Sequence, residues 1–166
     1  GISADSFDSA ITLNEDGTPA LTPELQRKHL KLYTTVSPDI YYLGFNMLDP
    51  IVGGASLRAK KLRQAISLAI DYAQYIRLFM NGRGAVAHGP IPPTIWGTHS
   101  GSQGINPLIY TWMNDHAQQR TVKQARALLA EAGYPQGLDP NTQRPLILNY
   151  DVTLSGQPDD KARLAW

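Results

Sequence analysis

The chain has 166 residues, carries 15 Lys and Arg against 14 Asp and Glu, and contains no cysteine. A chain of this length suits one domain that buries roughly 70% of its unfolded surface. The near-neutral charge excludes the strongly basic surface typical of nucleic-acid binding, so no nucleic-acid partner is expected. The lack of cysteine excludes disulfide scaffolds, thiolate metal sites and a cysteine nucleophile. No apolar run approaches the roughly 18 residues that a membrane-spanning helix requires.

The first third of the chain predicts short elements. We expect a short helix over residues 3–11 and then a turn over residues 12–20, with Asp-Gly at its centre. Thr22 followed by Pro23 predicts a helix N-cap and a helix that reaches about residue 30. The runs 30–36 and 40–47 are rich in aromatic and β-branched residues, which is typical of strands.

Residues 57–80 form the most regular stretch of the sequence. Its apolar residues are spaced by three and four, which predicts one long amphipathic helix that ends before Gly82. These residues are Leu62, Ala65, Ile66, Ala69, Ala73, Ile76 and Met80. Four cations occupy the start of the same helix: Arg58, Lys60, Lys61 and Arg63. The helix dipole disfavours positive charge there, so these cations either have some other role or are simply solvated.

The remaining sequence predicts irregular chain, a helix and a strand. The proline-rich residues 89–93 form a stiff extended loop, and residues 97–119 are expected to be irregular. A second helix begins at Thr121 and ends at Gly133, in the left-handed conformation that glycine favours. Residues 145–153 alternate as a strand does. Because helices and strands mix along the chain, the fold class is α/β or α+β.

The sequence offers no set of residues for catalysis or for metal binding. The histidines, at positions 29, 88, 99 and 116, lack the spacing of a metal motif, and no G-x-S-x-G motif is present. Asp71 is most simply a structural partner of Arg63, Lys61 or a loop amide. Residues 81–85 (NGRGA) follow a helix and lack the Lys-Ser/Thr ending of a phosphate-binding loop. Trp96, Tyr110 and Trp112 are interpreted as packing residues of a long loop rather than as a ligand platform.

Four segments, taken together and in order, resemble the extracellular solute-binding proteins of family 5, the oligopeptide, dipeptide and nickel receptors of ABC importers. They are YLGFNM (42–47), LRQAISLAID (62–71), GRGAVAHGPIPPTIWG (82–97) and QARALLAEAGYPQG (124–137). The resemblance covers about residues 40–166. The chain departs from the family at Tyr72, where Arg or Lys is usual, and in its longer loop 49–56.

The resemblance implies an α/β fold that is part of one lobe of a type II periplasmic-binding-protein-like fold, with a mixed sheet and packed helices. Residues 1–166 would be a single excised domain, the first part of the second lobe of a larger two-lobe protein. The implied function is capture of peptides outside the cytoplasmic membrane and delivery to ABC permease subunits. The implied location is periplasmic or extracytoplasmic, with lipid anchoring left open, and no enzyme activity, metal or cofactor is expected.

By the same resemblance, four residues would face a ligand that is shared with the missing lobe: Tyr150, Asp151, Thr153 and Ser155. A strand end that leads into polar turn residues suits this role, although an ordinary polar strand end is an equally good interpretation. The alternatives are a nickel, haem or other small-solute receptor of the same family, a small hydrolase, or an interaction module. An isolated piece that exposes apolar surface would also favour a homodimer.

Overall fold

The computed structural model describes residues 4–14, 18–80, 82–93, 95–152, 154, 156 and 160. The chain divides into two compact units. The first unit comprises Gly1–Ser37, Ala73–Val86 and Asp151–Trp166, and the second comprises Pro38–Tyr72 and Ala87–Tyr150. Across the described residues, no helix is long and apolar enough to cross a bilayer.

The first unit begins with a hairpin between two short helices. Its elements are α1 (Ala4–Ala10), β1 (Ile11–Leu13), β2 (Pro19–Leu21) and α2 (Pro23–Arg27). Ile11 pairs with Leu21 in an antiparallel ladder. The Asp-Gly pair expected at the turn lies outside the described residues. Helix α2 follows Thr22 as predicted, but it ends at Arg27 rather than near residue 30.

The stretch predicted as one long helix forms two helices, α3 (Leu57–Ala69) and α4 (Tyr72–Phe79). Ile70 has an extended backbone, with φ −80° and ψ 124°, so α3 ends there. The prediction of a continuous helix is therefore wrong. Its apolar stripe also shifts near the break, because Ala69 is exposed and Leu68 is buried in its place.

The break in the helix has a physical cause. The side-chain amide of Gln119 donates hydrogen bonds to the carbonyls of Leu68 and Ile70, at 3.1 and 3.0 Å. These carbonyls would otherwise need partners from the next helical turn. The Gln119 amide supplies these hydrogen bonds, so α3 can end here without leaving buried carbonyl oxygens unsatisfied.

The second unit is built on α3, which packs against α5 (Val122–Glu131). Arg58, near the start of α3, contacts the end of α5, and Gln119, just before α5, contacts the end of α3. The two helices are therefore antiparallel. Helix α5 begins as predicted, with a capping box between Thr121 and Gln124, and Gly133 follows it with φ 82°.

The buried centre of the second unit comes from α3 and from the residues just after α5. Leu62 and Ala132 are fully buried, and the Tyr134 ring lies beside them. Five half-buried apolar residues pack against this centre: Ile51, Val52, Ile66, Leu129 and Leu146. The core is small, and it joins segments that lie about 90 residues apart in the sequence.

Residues 97–119, which were expected to be irregular, contain the hairpin of β3 (Tyr110–Met113) and β4 (His116–Gln119). The pairs Tyr110–Gln119 and Trp112–Ala117 share the more buried face. Residues 114 and 115, Asn and Asp, connect the strands with φ of 49° and 59°. Two central residues with positive φ are the signature of a type I′ turn, whose twist matches that of the strands.

Residues 30–36, 40–47 and 145–153 were predicted to be strands, but their described residues lie in neither hairpin. Within the described residues, the sheets are two antiparallel hairpins, and 145–150 adds an isolated bridge from Pro145 to Leu138. Tyr41 and Tyr42 are 79% and 82% exposed. The expected packed helices are thus present, but the described residues form small antiparallel sheets in place of a mixed sheet.

Arg58 binds the end of α5 instead of its own helix. Its Nε donates to the Ala132 carbonyl at 3.0 Å, and its guanidinium carbon lies 4.5 Å from the centre of the Tyr134 ring. The carbonyl end of a helix is the negative end of its dipole, so a cation is favourable there. This contact accounts for one cation that is unfavourable within α3.

Two more cations of α3 also bind outside their own helix. Lys61 Nζ lies 2.8 Å from a carboxylate oxygen of Glu131, on α5. Arg63 donates to the carbonyls of Val52 and Gly54. The positive start of α3 therefore holds the helix to its surroundings, as the first of the two sequence interpretations proposed.

The chain enters α3 through a tight turn over residues 46–54. One carboxylate oxygen of Asp49 accepts hydrogen bonds from the N–H groups of Ile51 and Val52, both at 2.8 Å. The Gly54 N–H donates to the Met47 carbonyl at 2.9 Å. The turn thus satisfies its own polar groups before α3 begins.

We predict that Arg58→Ala lowers the free energy of unfolding by about 1–2 kcal/mol, because it removes a hydrogen bond to the end of α5 and a cation–π contact with Tyr134. Denaturant unfolding followed by circular dichroism measures the change. Lys60→Ala, on the exposed side of the same helix, is the matched control and should change stability by less than about 0.5 kcal/mol. Equal effects of the two substitutions would contradict the role given to Arg58.

We further predict that Gly53→Ala destabilises the chain by about 1–3 kcal/mol. Gly53 is buried, and a Cβ atom there would collide with the backbone carbonyl oxygens of Asp49 and Met47. Gly89→Ala is the control, since a Cβ at Gly89 has no atom within 4 Å. Thermal melts of both variants test this, and an unchanged midpoint for Gly53→Ala would refute it.

Candidate functional site

The structure describes two of the four residues expected to face a ligand. Tyr150 is the last residue of the second unit, and its side chain is 56% exposed. Asp151 is exposed and belongs to the first unit. Thr153 and Ser155 lie outside the described residues. Both described side chains are therefore accessible, but this alone does not assign them a role.

Tyr150 interacts electrostatically with Tyr72, the first residue of α4. The pKa of the Tyr72 phenol is raised, first because the side chain is half-buried and then because the Tyr150 phenol is close enough to interact with it. Tyr150 therefore has a tyrosine neighbour that is distant in the sequence. The sequence analysis singled out Tyr72 only as a departure from the family pattern.

A third tyrosine, Tyr110, is nearly fully buried. Burial raises the pKa of its phenol, and the nearby Tyr72 and Asp71 raise it further. The edge of the His88 imidazole meets the Tyr110 ring, with centroids 4.5 Å apart and an interplanar angle of 87°. Such edge-to-face packing is a favourable arrangement for aromatic rings.

His88 itself is held among packed side chains. Its Nδ1 atom is buried and has no hydrogen-bond partner, and burial lowers the pKa of the imidazole. The ring is therefore held in its neutral form, and it supports Tyr110.

The β3–β4 hairpin places these residues together. Gln119 lies directly opposite Tyr110 in the ladder, so the two side chains share one face. The same Gln119 holds the end of α3 through the carbonyls of Leu68 and Ile70. Asp71 and Tyr72, the next residues, are therefore brought next to Tyr110. We call Tyr72, Tyr110 and Tyr150, with Asp71 and His88, the tyrosine cluster.

Of the three tyrosines in the tyrosine cluster, Tyr150 is exposed, Tyr72 is half-buried and Tyr110 is buried. Tyrosine offers a rigid aromatic face and a hydroxyl that donates or accepts a hydrogen bond. Among the described residues, no three histidine, aspartate or glutamate side chains come together as a metal site requires. The exposed Tyr150 ring can therefore contact an apolar or aromatic group and offer its hydroxyl for a hydrogen bond.

Two loop interpretations have different outcomes. Tyr110 is 7% exposed and packs as predicted, but Trp96 is 97% exposed, so the packing interpretation is wrong for Trp96.

The proline-rich loop is fixed by the Thr98 hydroxyl, which donates to the Pro92 carbonyl at 2.6 Å. Gly82 has φ 70°, and its N–H donates to the Ile76 carbonyl of α4. Residues 82–85 therefore follow the end of a helix, as expected.

The second unit also has an open groove of about 330 Å³ that the sequence did not predict. Its lining residues are Leu68, Pro107, Leu108, Arg120, Gln124, Ala127, Leu128 and Glu131. Its two charged side chains are already engaged, since Arg120 donates to the Pro107 carbonyl at 3.2 Å and Glu131 pairs with Lys61. The groove thus offers apolar surface rather than a free charge.

Comparison with known proteins gives matches along most of the chain. Residues 8–164 match the family described as bacterial extracellular solute-binding proteins, family 5 Middle. The Dipeptide-binding protein of Escherichia coli (strain K12) is 31% identical over 114 residues, which are 68% of this chain and 18% of that protein. Heme-binding protein A of Haemophilus influenzae is 37% identical over 79 residues, 48% of this chain and 12% of that protein. No solved structure matches the chain.

These matches extend the resemblance seen in the sequence. The family match begins at residue 8, so it includes most of the N-terminal third, which the resemblance from residue 40 onward left out. The aligned part covers less than a fifth of the length of either relative. Because the family match covers nearly the whole chain, the chain belongs to the bacterial extracellular solute-binding proteins of family 5.

Proposed function

We propose that this chain is part of the substrate-binding component of an ABC importer, which captures peptides outside the cytoplasmic membrane and delivers them to the permease. The observation that carries the proposal is the family match over residues 8–164. A relative named for dipeptide binding, aligned over 68% of the chain, favours peptides as the ligand. In this proposal the protein binds its ligand without transforming it, and it works in the periplasm or at the outer face of the membrane.

Within that function, we assign Tyr150, Asp151, Thr153 and Ser155 to the ligand-facing surface. The exposure of Tyr150 and Asp151 supports this assignment, since a ligand contact must be accessible. We infer that the chain is the first part of the second lobe of a two-lobe protein, with the ligand shared between the lobes.

Exposed apolar residues support a larger protein. In the segments 40–48 and 147–150, Tyr41, Tyr42, Leu48 and Ile147 are all more than 70% exposed. Apolar surface of this extent is usually covered by a neighbour. In the proposal, these segments pair and pack with the remainder of the two-lobe protein.

A two-lobe receptor works by a shift in population. Ligand contacts that exist only in the closed state favour closure, and the permease engages the closed form. If two lobes share a ligand of micromolar affinity equally, each contributes about half of roughly −8 kcal/mol. One lobe alone then binds at about the millimolar level.

We therefore predict that the protein expressed from its complete reading frame binds di- to pentapeptides at about micromolar Kd, whereas residues 1–166 alone give no calorimetric signal at tens of micromolar. Isothermal titration calorimetry of the two proteins, with the same peptides, measures the difference. A clear signal from residues 1–166 would overturn the shared site. A complete protein that binds none of the peptides would overturn the peptide function.

A haem ligand is the second candidate, because the relative with 37% identity is named for haem binding. Haemin is therefore titrated into the complete protein alongside the peptides, and its Soret absorbance is followed. Haem binding without peptide binding would replace the peptide proposal by the haem one.

We also propose that residues 1–166, when isolated, form a homodimer through their exposed apolar side chains. Sedimentation velocity at two loadings, about tenfold apart, should show a sedimentation coefficient that rises with concentration. Strictly monomeric behaviour at both loadings would count against this association.

A further inference from the structure

We propose that Arg63 is a positioning residue for the ligand-facing surface, because it fixes the turn over residues 46–54 and that turn supports the segment 147–150. The inference deepens the proposed function and rests on it, since it assumes that the ligand reaches Tyr150. In this proposal Arg63 acts through the turn and does not touch the ligand itself. All of these residues belong to the second unit.

The first step is that Arg63 and Asp49 hold the turn from two sides. The Nη1 group of Arg63 donates to the carbonyls of Val52 and Gly54. One carboxylate oxygen of Asp49 accepts hydrogen bonds from the N–H groups of Ile51 and Val52, both at 2.8 Å. Val52 is therefore held at its N–H and at its carbonyl. Because each of these hydrogen bonds involves a charged group, they are stronger than those between neutral groups.

The second step is that the turn and the start of the segment share one support. Ile51, Val52 and Leu146 all pack against the buried centre of the second unit. The Leu146 N–H also donates to the Gly137 carbonyl at 2.7 Å, so Leu146 is fixed by side chain and backbone. In the part of the chain that the structure describes, residues 147–150 belong to no helix or strand. Their position therefore depends on the residues against which they lie.

The third step is that residues 147–149 lie against the turn, with a cavity of about 20 Å³ between the two. Its lining residues come from both segments: Asp49, Ile51, Val52, Ile147, Leu148 and Asn149. A cavity of that volume holds roughly one water molecule, so the turn and the segment are close together. Tyr150 is the next residue of the chain. A loosened turn therefore leaves Tyr150 less well placed, and ordering it again costs binding free energy.

The test uses the protein expressed from its complete reading frame. Arg63→Ala removes both hydrogen bonds from α3 to the turn. Lys61→Ala is the matched control, because Lys61 lies on the same helix but pairs with Glu131 of α5 instead of with the turn. Incorporated 3-fluorotyrosine reports on Tyr150 by fluorine NMR, and Tyr150→Phe assigns the resonance. The binding probes are the dipeptides Ala-Ala and Ala-Phe, titrated by calorimetry, and haemin, followed by its Soret absorbance.

We expect Arg63→Ala to shift or broaden the Tyr150 resonance. It should also weaken the binding of each probe that the unmodified protein binds by about two- to tenfold, which corresponds to the cost of ordering a side chain on binding. Lys61→Ala should leave both the Tyr150 resonance and the affinities unchanged. The fluorine spectrum is recorded without ligand, so it tests the positioning of Tyr150 by itself.

Other outcomes would overturn the inference. If Arg63→Ala leaves the Tyr150 resonance unchanged, the turn does not position Tyr150. If the resonance moves but every affinity stays the same, Arg63 has no role toward the ligand. If Arg63→Ala and Lys61→Ala weaken binding equally, the effect is a general loss of packing.

Two further results are distinguishable from these. If Arg63→Ala does not fold, Asp49→Ala loosens the same turn from its other side and is judged by the same outcomes. If the unmodified protein binds none of the probes, the proposed function fails and the ligand role of Arg63 fails with it. The fluorine spectrum then still decides whether the turn positions Tyr150.

Discussion

The antiparallel packing of α3 against α5 is the constraint on which the second unit depends, and it is held at both ends by hydrogen bonds to helix carbonyls. Arg58 binds the Ala132 carbonyl at the end of α5, and Gln119 binds two carbonyls at the end of α3. The last carbonyls of each helix thereby accept hydrogen bonds from a side chain elsewhere in the unit, because the helix itself supplies no donors to them. Apolar contact between the helices supplies the driving force, and these polar contacts fix the register.

The parts of this arrangement that depend on local chemistry can be predicted from the sequence. The capping box at Thr121 and the glycine at position 133 define α5, because both signals lie within a few residues of the helix ends. The break after Ala69 has one local signal, Asp71 directly before α4, because aspartate is favoured at a helix N-cap. Its other contact is distant in the sequence, since Gln119, about 50 residues further along the chain, binds the last carbonyls of α3.

The strands also show that local sequence signals do not decide the structure alone. The β3–β4 hairpin has a readable signal, alternation on both sides of Asn-Asp, but Asn-Asp is a weaker turn signal than Asn-Gly. The segments 40–47 and 145–150 have β-propensity and nevertheless join neither described hairpin. Strand propensity indicates that a segment's side chains suit the surface of a sheet, but a sheet forms only where a second strand pairs with that segment.

The candidate site was identified partly from the sequence and partly from the fold. Tyr150 was reached through a family resemblance, whereas its neighbours could be identified only from the fold, since Tyr72, Tyr110 and Tyr150 lie about 40 residues apart in the sequence. Gln119 both stops α3 and faces Tyr110, so the contact that fixes the helix register also places Tyr72. The cluster therefore inherits its geometry from the core.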